Sequence, residues 1–361
     1  MKYYLIAGEA SGDLHGANLM RAIAKRDTGA VFRFWGGDKM KAIPNSEQVE
    51  HYKNTAFMGF VEVLRHLPQI FGFIKKCKKD IVSHKPDVVI FIDYPGFNMR
   101  IAKFAKLAGY KTIYYISPQV WAWKENRVKK IKKYIDKMLV ILPFEKKFYA
   151  KWKYPVEYVG HPLLDELSKQ EYKAERVEEL PVIALLPGSR VQEIKMILPI
   201  FLEVVHQFPA YQFVLAGLPH IDSEIYHQII GDANVRLVKN ETYSLLSKSQ
   251  AALVASGTAT LECALFKVPM LVGYKANFLS YHIGKHLIKV PYIALVNLIA
   301  GRKIVPELIQ DDLNAETLEK ELKIILSEEA SNEMKSNFET LITNLGTTGA
   351  SDRAAEIIIK S

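Results

Sequence analysis

The sequence has little of what marks several common protein classes. Cysteine occurs only at Cys77 and Cys263 in 361 residues, which excludes a disulfide framework and leaves no metal-type cysteine spacing. No apolar run is long enough to span a bilayer, and the first residues lack the pattern of a signal peptide. We therefore expect a cytoplasmic protein that contacts membranes only peripherally.

Two nucleotide-binding motifs are also absent. The early glycines fall at Gly8, Gly12 and Gly16, a spacing that does not match G-x-G-x-x-G, and no P-loop of the form G-x-x-x-x-G-K-[ST] occurs. A nicotinamide-binding or ATP-binding protein is therefore poorly supported. The sequence shows no internal repeat and no low-complexity tract.

The length and charge of the chain are informative. A chain of 361 residues with 49% hydrophobic residues exceeds what one core usually supports, so we expect two domains. Lys and Arg number 48 against 39 Asp and Glu, and the net charge of +9 favours anionic partners. Nucleic acid, phosphorylated substrates and acidic lipid headgroups all fit that charge.

Apolar strand-like runs alternate with amphipathic helical stretches along the chain, which predicts α/β architecture with parallel sheets covered by helices. A polar stretch at 168–180 separates two series of strands and marks a domain linker. A last helix is predicted over 352–360. The predicted strands of the first series are 2–7, 31–35, 88–92, 112–116, 137–142 and 156–159, and those of the second are 182–186, 212–216, 235–238, 251–254 and 270–274.

The first strand breaks at Gly8 into a polar, glycine-containing turn before a helix. Such turns stand at the carboxyl ends of strands, where open α/β sheets bind ligands. Glu9, Ser11, Asp13 and His15 are therefore predicted to line a site.

Asp93 ends the fully apolar strand 88–92. A carboxylate at that position is partly desolvated, which raises its pKa and suits it as a general base toward a sugar hydroxyl. Capping the following helix is the structural alternative.

Gln119, Trp121 and Trp123 follow the strand 112–116. Indole rings stack on sugar rings or acyl chains, and core packing is the alternative for both tryptophans.

The second series of strands carries two turns that fit a nucleotide diphosphate. Backbone N–H groups and the Arg190 guanidinium in one turn predict a diphosphate cradle, and Glu262 in the other is suited to accept hydrogen bonds from a ribose diol. Tight helix–sheet packing is the structural alternative. The first turn supplies Gly188, Ser189, Arg190 and Glu193, and the second supplies Ser256, Gly257, Thr258 and Glu262.

Two stretches combine apolar residues with lysines. Residues 58–74, which include Met58 and Phe60, are more apolar than one buried helix face needs. They are followed by Lys75, Lys76, Lys78 and Lys79. Residues 124–153 mix lysines with aromatic residues. Both stretches predict an interfacial surface for anionic lipid or acyl chains, with a solvated helix face as the alternative.

Taken in order, these motifs resemble the lipid-A-disaccharide synthase family, inverting glycosyltransferases of lipopolysaccharide biosynthesis. The resemblance covers nearly the whole chain and departs at Gly96, where many members carry a second aspartate. The matching segments are 8–13, 58–60, 92–98, 117–123, 160–162, 186–190, 256–262 and 297–302.

The resemblance implies a GT-B fold, with two doubly wound Rossmann-like domains facing a shared cleft. Residues 1–165 would form the acceptor and membrane-facing domain, completed by a C-terminal helix at 345–361. Residues 166–344 would form the UDP-sugar donor domain. A homodimer and an anionic inner-membrane surface are the implied partners besides the substrates.

The resemblance also implies the reaction, transfer of 2,3-diacylglucosamine from its UDP derivative to 2,3-diacylglucosamine 1-phosphate, with a β-1,6 disaccharide 1-phosphate and UDP as products. No metal and no cofactor take part. Asp93, with Glu9, Asp13 and His15, would serve catalysis, and Asn297 and Arg302 join the donor contacts. Ser11, Met58, Phe60, Gln119, Trp121 and Trp123 would contact acceptor or lipid.

A UDP-N-acetylglucosamine 2-epimerase is the nearest alternative, since it shares the two-domain plan but isomerises a soluble sugar. It would not need the apolar stretch 58–74. A basic nucleic-acid-binding protein would show steeply salt-dependent binding, and it leaves the turns of the second domain unexplained.

Overall fold

The computed structural model of the chain describes residues 1–55, 66–169, 180–277, 281 and 290–361. The chain divides into two compact units. Unit 1 comprises Met1–Ser168 together with Gly346–Ser361, and unit 2 comprises Lys169–Leu345. Among the residues that the structure describes, no helix is both long enough and apolar enough to cross a membrane.

Unit 1 is built on a seven-stranded sheet in which every neighbouring pair is parallel. The spatial order is β3-β2-β1-β4-β5-β6-β7. The strands are β1 (Lys2–Ala7), β2 (Val31–Gly36), β3 (Ser46–His51), β4 (Val88–Ile92), β5 (Lys111–Tyr115), β6 (Lys137–Val140) and β7 (Glu157–Tyr158).

Helices cover both faces of this sheet, because successive side chains of a strand point to opposite faces and both sets are apolar here. Tyr3 and Leu5 belong to one buried cluster with the first helix, and Tyr4 and Ile6 belong to the other. The helices of unit 1 are α1 (Ala10–Ala24), α2 (Asp38–Lys41), α3 (Tyr52–Thr55), α4 (Leu67–His84), α5 (Pro95–Leu107), α6 (Val128–Tyr134), α7 (Pro143–Lys151) and α8 (Pro162–Leu167), with a 3-10 turn at Glu125–Arg127.

The last helix of the chain, α16 (Ala350–Ile359), belongs to unit 1. Its residues Ala354, Ala355 and Ile358 are buried in the same cluster as α1. The Asp165 carboxylate accepts hydrogen bonds from the backbone N–H groups of Gly349 (2.5 Å), Ala350 (3.1 Å) and Ser351 (3.0 Å), which caps the helix from a distant part of the sequence.

Unit 2 contains a second parallel sheet, with six strands in the order β10-β9-β8-β11-β12-β13. Its strands are β8 (Val182–Leu186), β9 (Gln212–Gly217), β10 (Val235–Lys239), β11 (Ser249–Ala255), β12 (Met270–Tyr274) and β13 (Glu307–Ile309). Its helices are α9 (Val191–Leu202), α10 (Ser223–Ile230), α11 (Thr242–Leu246), α12 (Thr258–Leu265), α13 (Leu295–Ala300), α14 (Ala315–Ile325) and α15 (Glu328–Leu345), with 3-10 turns at Val205–Gln207 and Gln310–Asp312.

Each sheet reverses its strand order at one place. In unit 1, β1 pairs with both β2 and β4, and in unit 2, β8 pairs with both β9 and β11. Ligands of open parallel sheets bind outside the carboxyl ends of strands at such switch points. The turns after β1 and β4, and those after β8 and β11, are therefore the places to look for a site.

Candidate active site

The turns after β1 and β4 start side by side, because Ala7 is paired with Ile92 in the sheet. Glu9 stands at the N-cap of α1, and Asp93 begins the turn that leads into α5. The negative charge of Glu9 reaches the Asp93 carboxyl. The structure thus brings two of the predicted catalytic residues together.

The Asp93 turn has an unusual backbone. Asp93 and Tyr94 are both in the left-handed region, with φ of 43° and 51°. Each such residue costs on the order of 1–3 kcal/mol and persists only where the surroundings enforce it. Two hydrogen bonds hold this backbone conformation. The Asp93 carbonyl oxygen accepts them from Asn98 Nδ2 (2.7 Å) and from the Tyr114 hydroxyl (2.5 Å).

Tyr94 closes the turn over the neighbouring strand end. Its hydroxyl donates to the Thr55 carbonyl oxygen at 2.7 Å. A Cβ atom at Gly8 would lie 2.2 Å from the Tyr94 ring, so only glycine allows this approach. Sequence reasoning placed Gly8 in the turn after the first strand, but it did not predict that the Tyr94 ring packs against this residue.

The Asp93 carboxyl is poised for proton transfer near neutral pH. Burial, and then the charge of Glu9, raise its pKa to about 6, although a backbone N–H bond from Tyr94 acts in the opposite direction. A carboxylate with such a pKa is ionised at pH 7 and still basic enough to accept a hydroxyl proton in a transition state.

Asp13 is buried and does not join this pair. Its carboxylate accepts hydrogen bonds from the backbone N–H groups of Gly37 (2.7 Å), Lys39 (3.0 Å) and Met40 (3.1 Å). It therefore holds the start of α2 against α1. Its predicted catalytic role stays a prediction, and the structure adds that its oxygens are engaged by the backbone.

His15 and Ser11 take different places on α1. His15 is half-buried. The nearby His161 ring is buried, and its burial together with the charge of His15 lowers the pKa of His161 to about 3. His161 itself caps α8 through a bond from the Leu163 N–H. Ser11 lies exposed in the first turn of α1. The structure thus groups His15 with His161, whereas Asp93 is grouped with Glu9.

The three predicted residues in the loop after β5 differ in how far they are exposed to solvent. Gln119 is exposed, Trp121 packs edge-on against Phe144 at 4.9 Å, and Trp123 is 38% exposed. Trp121 is thus half-buried against one aromatic neighbour, whereas Trp123 and Gln119 face solvent.

A buried polar cluster supports this loop and was missed by sequence reasoning. Glu145 accepts the N–H groups of Leu142 (2.9 Å) and Ile141 (3.2 Å), and Ser117 and Tyr149 share a 2.6 Å hydrogen bond. Burial raises the pKa of Glu145 to about 7. The two backbone hydrogen bonds and those from the Ser117 and Trp121 side chains act in the opposite direction, but they are weaker than the effect of burial. The Pro at the first helical position followed by Glu at the third was the available signal.

Three predicted features of unit 1 remain. Met58 and Phe60 lie outside the described residues. Gly96 is exposed in the first turn of α5, and an added Cβ would meet nothing within 4 Å, so an aspartate side chain has room there.

In unit 2 the turn after β8 carries Gly188, Ser189 and Arg190, the last two exposed at the start of α9. Gly188 has φ of 129°, and a Cβ there would lie 2.7 Å from that of Glu193. Glu193 accepts from the Ser189 N–H (2.9 Å) and from Arg190 Nη1 (2.9 Å). Glu193 therefore orders the turn rather than offering a contact to an anion.

The turn after β11 lies beside it, since Val254 is paired with Leu186. Gly257 and Thr258 are exposed at the start of α12, where the N–H groups and helix dipole favour an anion. The Ser256 hydroxyl donates to the Ile293 carbonyl oxygen at 2.9 Å. Glu262, one turn on, accepts from the Tyr243 hydroxyl at 3.1 Å, and burial raises its pKa.

Asn297 and Arg302 both have hydrogen-bond partners within unit 2. The buried Asn297 amide donates to Val305 O and Glu307 Oε1, and its oxygen accepts from Ile304 and Val305 N–H. Arg302 donates to Asn337 at 2.7 Å. The donor contacts predicted for Asn297 and Arg302 stay predictions. Glu307 also holds the Ile293 N–H, so Asn297 supports the segment that Ser256 contacts.

Comparison with known sequences gives one consistent result. A family model described as lipid-A-disaccharide synthetase matches residues 3–360. The lipid-A-disaccharide synthase of Geobacter metallireducens is 39% identical over 369 residues, covering 99% of this chain and 96% of that protein. The enzyme of the same name from Nitrosococcus oceani is 40% identical over 369 residues, covering 98% and 95%.

Solved structures share the fold at low identity. A UDP-GlcNAc 2-epimerase from Neisseria meningitidis, bound to UDP-GlcNAc, superposes with a TM-score of 0.70 at 15% identity and covers 100% of both chains. A glycosyltransferase of kitacinnamycin gives 0.68 at 14% identity, covering 99% of this chain and 98% of that one. These likenesses show the α/β GT-B fold alone.

Proposed function

The chain belongs to the lipid-A-disaccharide synthase family and is a glycosyltransferase, and from this premise we propose its substrates and the roles of its residues. The donor is UDP-2,3-diacylglucosamine and the acceptor is 2,3-diacylglucosamine 1-phosphate. The products are the β-1,6 disaccharide 1-phosphate and UDP. The epimerase alternative is supported only by a likeness in fold.

The reaction is a single displacement with inversion. The Asp93 carboxylate accepts the proton of the acceptor 6-hydroxyl while that oxygen forms a bond to the anomeric carbon of the donor. The bond from that carbon to the β-phosphate oxygen breaks at the same time, and its electron pair leaves with UDP. Asp93 ends this step protonated, and solvent removes the proton.

The leaving group gains negative charge as the bond breaks. Arg190, of which only Nη1 is bound by Glu193, and the N-terminus of α12 at Gly257 and Thr258 supply positive potential for it. The Glu262 carboxylate, which is oriented by the hydrogen bond from the Tyr243 hydroxyl, accepts hydrogen bonds from the ribose hydroxyls. Arg190 and the α12 turn stand at the carboxyl ends of paired strands, which supports a diphosphate site at this switch point.

The observation that carries the proposal is the Asp93 turn. A carboxyl with pKa raised to about 6 by burial and Glu9 stands on a strained backbone at the unit 1 switch point. Raised pKa, strain and this topological position together are typical of catalytic residues.

An assay in detergent with both proposed substrates tests the reaction, following UDP release and disaccharide mass. We expect product from the wild-type protein and a loss of about 100-fold or more with Asp93→Asn. Asp87→Asn is the matched control, because Asp87 stands at the other end of β4 and accepts the Lys2 N–H. Absence of disaccharide with folded wild-type protein would refute the proposed substrates.

We further propose that α4 helps the protein bind anionic membranes. Phe71 is 61% exposed near the start of this helix, and Lys75 and Lys79 are exposed on the turns that follow. Phe71→Ser should reduce flotation with phosphatidylglycerol vesicles, and salt should weaken what remains. Equal flotation of both proteins would contradict a role for this helix.

A further inference from the structure

Two cations lie over one half-exposed indole in the loop after β5. Lys124 Nζ is 4.2 Å from the centre of the Trp123 ring, and the Arg127 guanidinium carbon is 5.1 Å from it. Trp123 is 38% exposed, so the group opens to solvent. Contacts of this kind fix cationic side chains on an aromatic face.

The cations have no carboxylate partner within the described part of the chain. Glu125, between them in sequence, is engaged by the Trp152 indole N–H at 3.1 Å. Partial desolvation and the Arg127 charge lower the pKa of Lys124. Lys124 also holds a left-handed backbone, with φ of 55°. Like charges kept side by side on a strained loop are stabilised when an anion binds between them.

This group belongs to the same edge of the sheet as Asp93. The strands that precede the two loops are paired, with Ile92 opposite Tyr115. The Tyr114 hydroxyl donates to the Asp93 carbonyl oxygen. Burial raises the pKa of Tyr114 well above its usual value, and the charge of Arg127 opposes that shift, so Arg127 lies within electrostatic reach of the Asp93 turn.

We propose that Lys124 and Arg127, held over Trp123, bind the phosphate monoester of the acceptor and make the enzyme select the phosphorylated sugar. The proposal rests on the proposed function, in which Asp93 receives the proton of the 6-hydroxyl. Arg supplies paired donors to phosphate oxygens, Lys adds a point charge, and the indole face suits the apolar face of a pyranose. The donor diphosphate has its own cradle on unit 2.

The test compares kcat/KM for 2,3-diacylglucosamine 1-phosphate and for unphosphorylated 2,3-diacylglucosamine, at saturating donor. The variant is Lys124→Gln with Arg127→Gln. The matched control is Lys133→Gln, because Lys133 Nζ also lies over an aromatic ring, that of Tyr134, at 5.6 Å. We expect the double variant to reduce the wild-type preference for the phosphorylated acceptor by roughly tenfold or more, and the control to keep it.

An unchanged preference in the double variant, or an equal loss for both acceptors, overturns the proposal. Equilibrium binding of short-chain forms of both acceptors measures the same preference without transfer, so the inference is tested even if no disaccharide forms and the proposed function fails. Flotation with phosphatidylglycerol vesicles tests whether the two cations bind lipid headgroup phosphates instead of the acceptor phosphate. Loss of flotation with unchanged acceptor preference would assign the cations to the membrane and overturn the proposal.

Discussion

Asp93 shows how position in a fold tunes one carboxyl. The apolar strand before it removes water, and Glu9 adds a like charge, so its pKa rises to about 6. The backbone strain at Asp93 and Tyr94 is held by Asn98 and Tyr114, which bind the peptide oxygen and leave the carboxylate for substrate.

The pH dependence of transfer should report this pKa. Asp93 must be ionised to accept a proton, so kcat/KM should fall about tenfold per pH unit below pH 6 and level off above it. Glu9→Gln removes the like charge, so the fall in kcat/KM should begin at a lower pH than in the wild type. The pKa of Asp93 should lose only part of its elevation, because burial is the larger cause. A fall that begins at the same pH in Glu9→Gln would contradict the coupling.

The same carboxyl should weaken the fold at neutral pH. Unfolded Asp93 ionises near 3.8, whereas the folded protein keeps the proton up to about pH 6, so stability falls as the pH rises between these values. Asp93→Asn should therefore raise the free energy of unfolding by about 1–3 kcal/mol above pH 6 and by little below pH 4. Thermal melts across this range measure the difference.

Asp136→Asn is the control of opposite sign for that experiment. Burial alone would raise the pKa of Asp136, but hydrogen bonds from Lys106 and Thr112 bring it below its usual value. Its ionised form stabilises the fold, so the substitution should lower stability at pH 7. A destabilised Asp93→Asn protein would show that the carboxylate contributes more contacts than the structure gives it.

Sequence reasoning could find chemistry at strand ends but not the partners of each side chain. Asp93 and Arg190 were identified from strand-turn-helix patterns, and their roles stay predictions. Asp13 and Asn297 stood in equally suggestive motifs, yet the structure gives their oxygens to backbone N–H groups. Glu145 stands in a Pro-x-Glu helix start, but that motif does not show that its carboxyl becomes buried next to Ser117 and Trp121 of the loop after β5.

At the scale of elements, the α/β fold class is confirmed, and most strands were predicted within a residue or two. The two that were missed are edge strands. The strand β3 has half-buried, largely polar residues, and β13 has three residues, so neither gives the apolar run that marks a central strand. Only pairing with β2 and β12 makes them strands.

The attachment of α16 depends on one carboxylate. Asp165→Ala leaves three N–H groups without their acceptor, and we expect a loss of about 2 kcal/mol with faster amide exchange in α16. Hydrogen exchange and thermal melts measure both effects. Asp352→Asn is the control on the same helix, because its ion pair with Arg26 is surface-exposed and should contribute about 0–1 kcal/mol. Unchanged exchange in Asp165→Ala would refute the cap.

At the scale of the whole molecule, all proposed UDP contacts belong to unit 2. We expect residues 169–345 to fold alone and to bind UDP with an affinity close to that of the full chain. Calorimetric titration measures the affinity, and Arg190→Gln in the same fragment should weaken binding about tenfold. A folded fragment that does not bind UDP would place part of the nucleotide site in unit 1.

The periodicity of residues 352–360 predicts a helix but does not say which core it covers. Small residues such as Ala354 and Ala355 pack equally well in many places, and the structure seats them on α1. Long-range contacts of this kind are decided by tertiary packing, which a local pattern does not contain.

The discontinuity of unit 1 also sets an order of events during translation. The ribosome makes the seven strands of unit 1 first, then all of unit 2, and only afterwards the segment Gly346–Ser361 that finishes the first hydrophobic cluster. Domains generally begin folding in the order of synthesis. The nascent chain must therefore carry an uncovered apolar strip on α1 while unit 2 emerges. A chain that lacks Gly346–Ser361 would present that strip to chaperones and proteases.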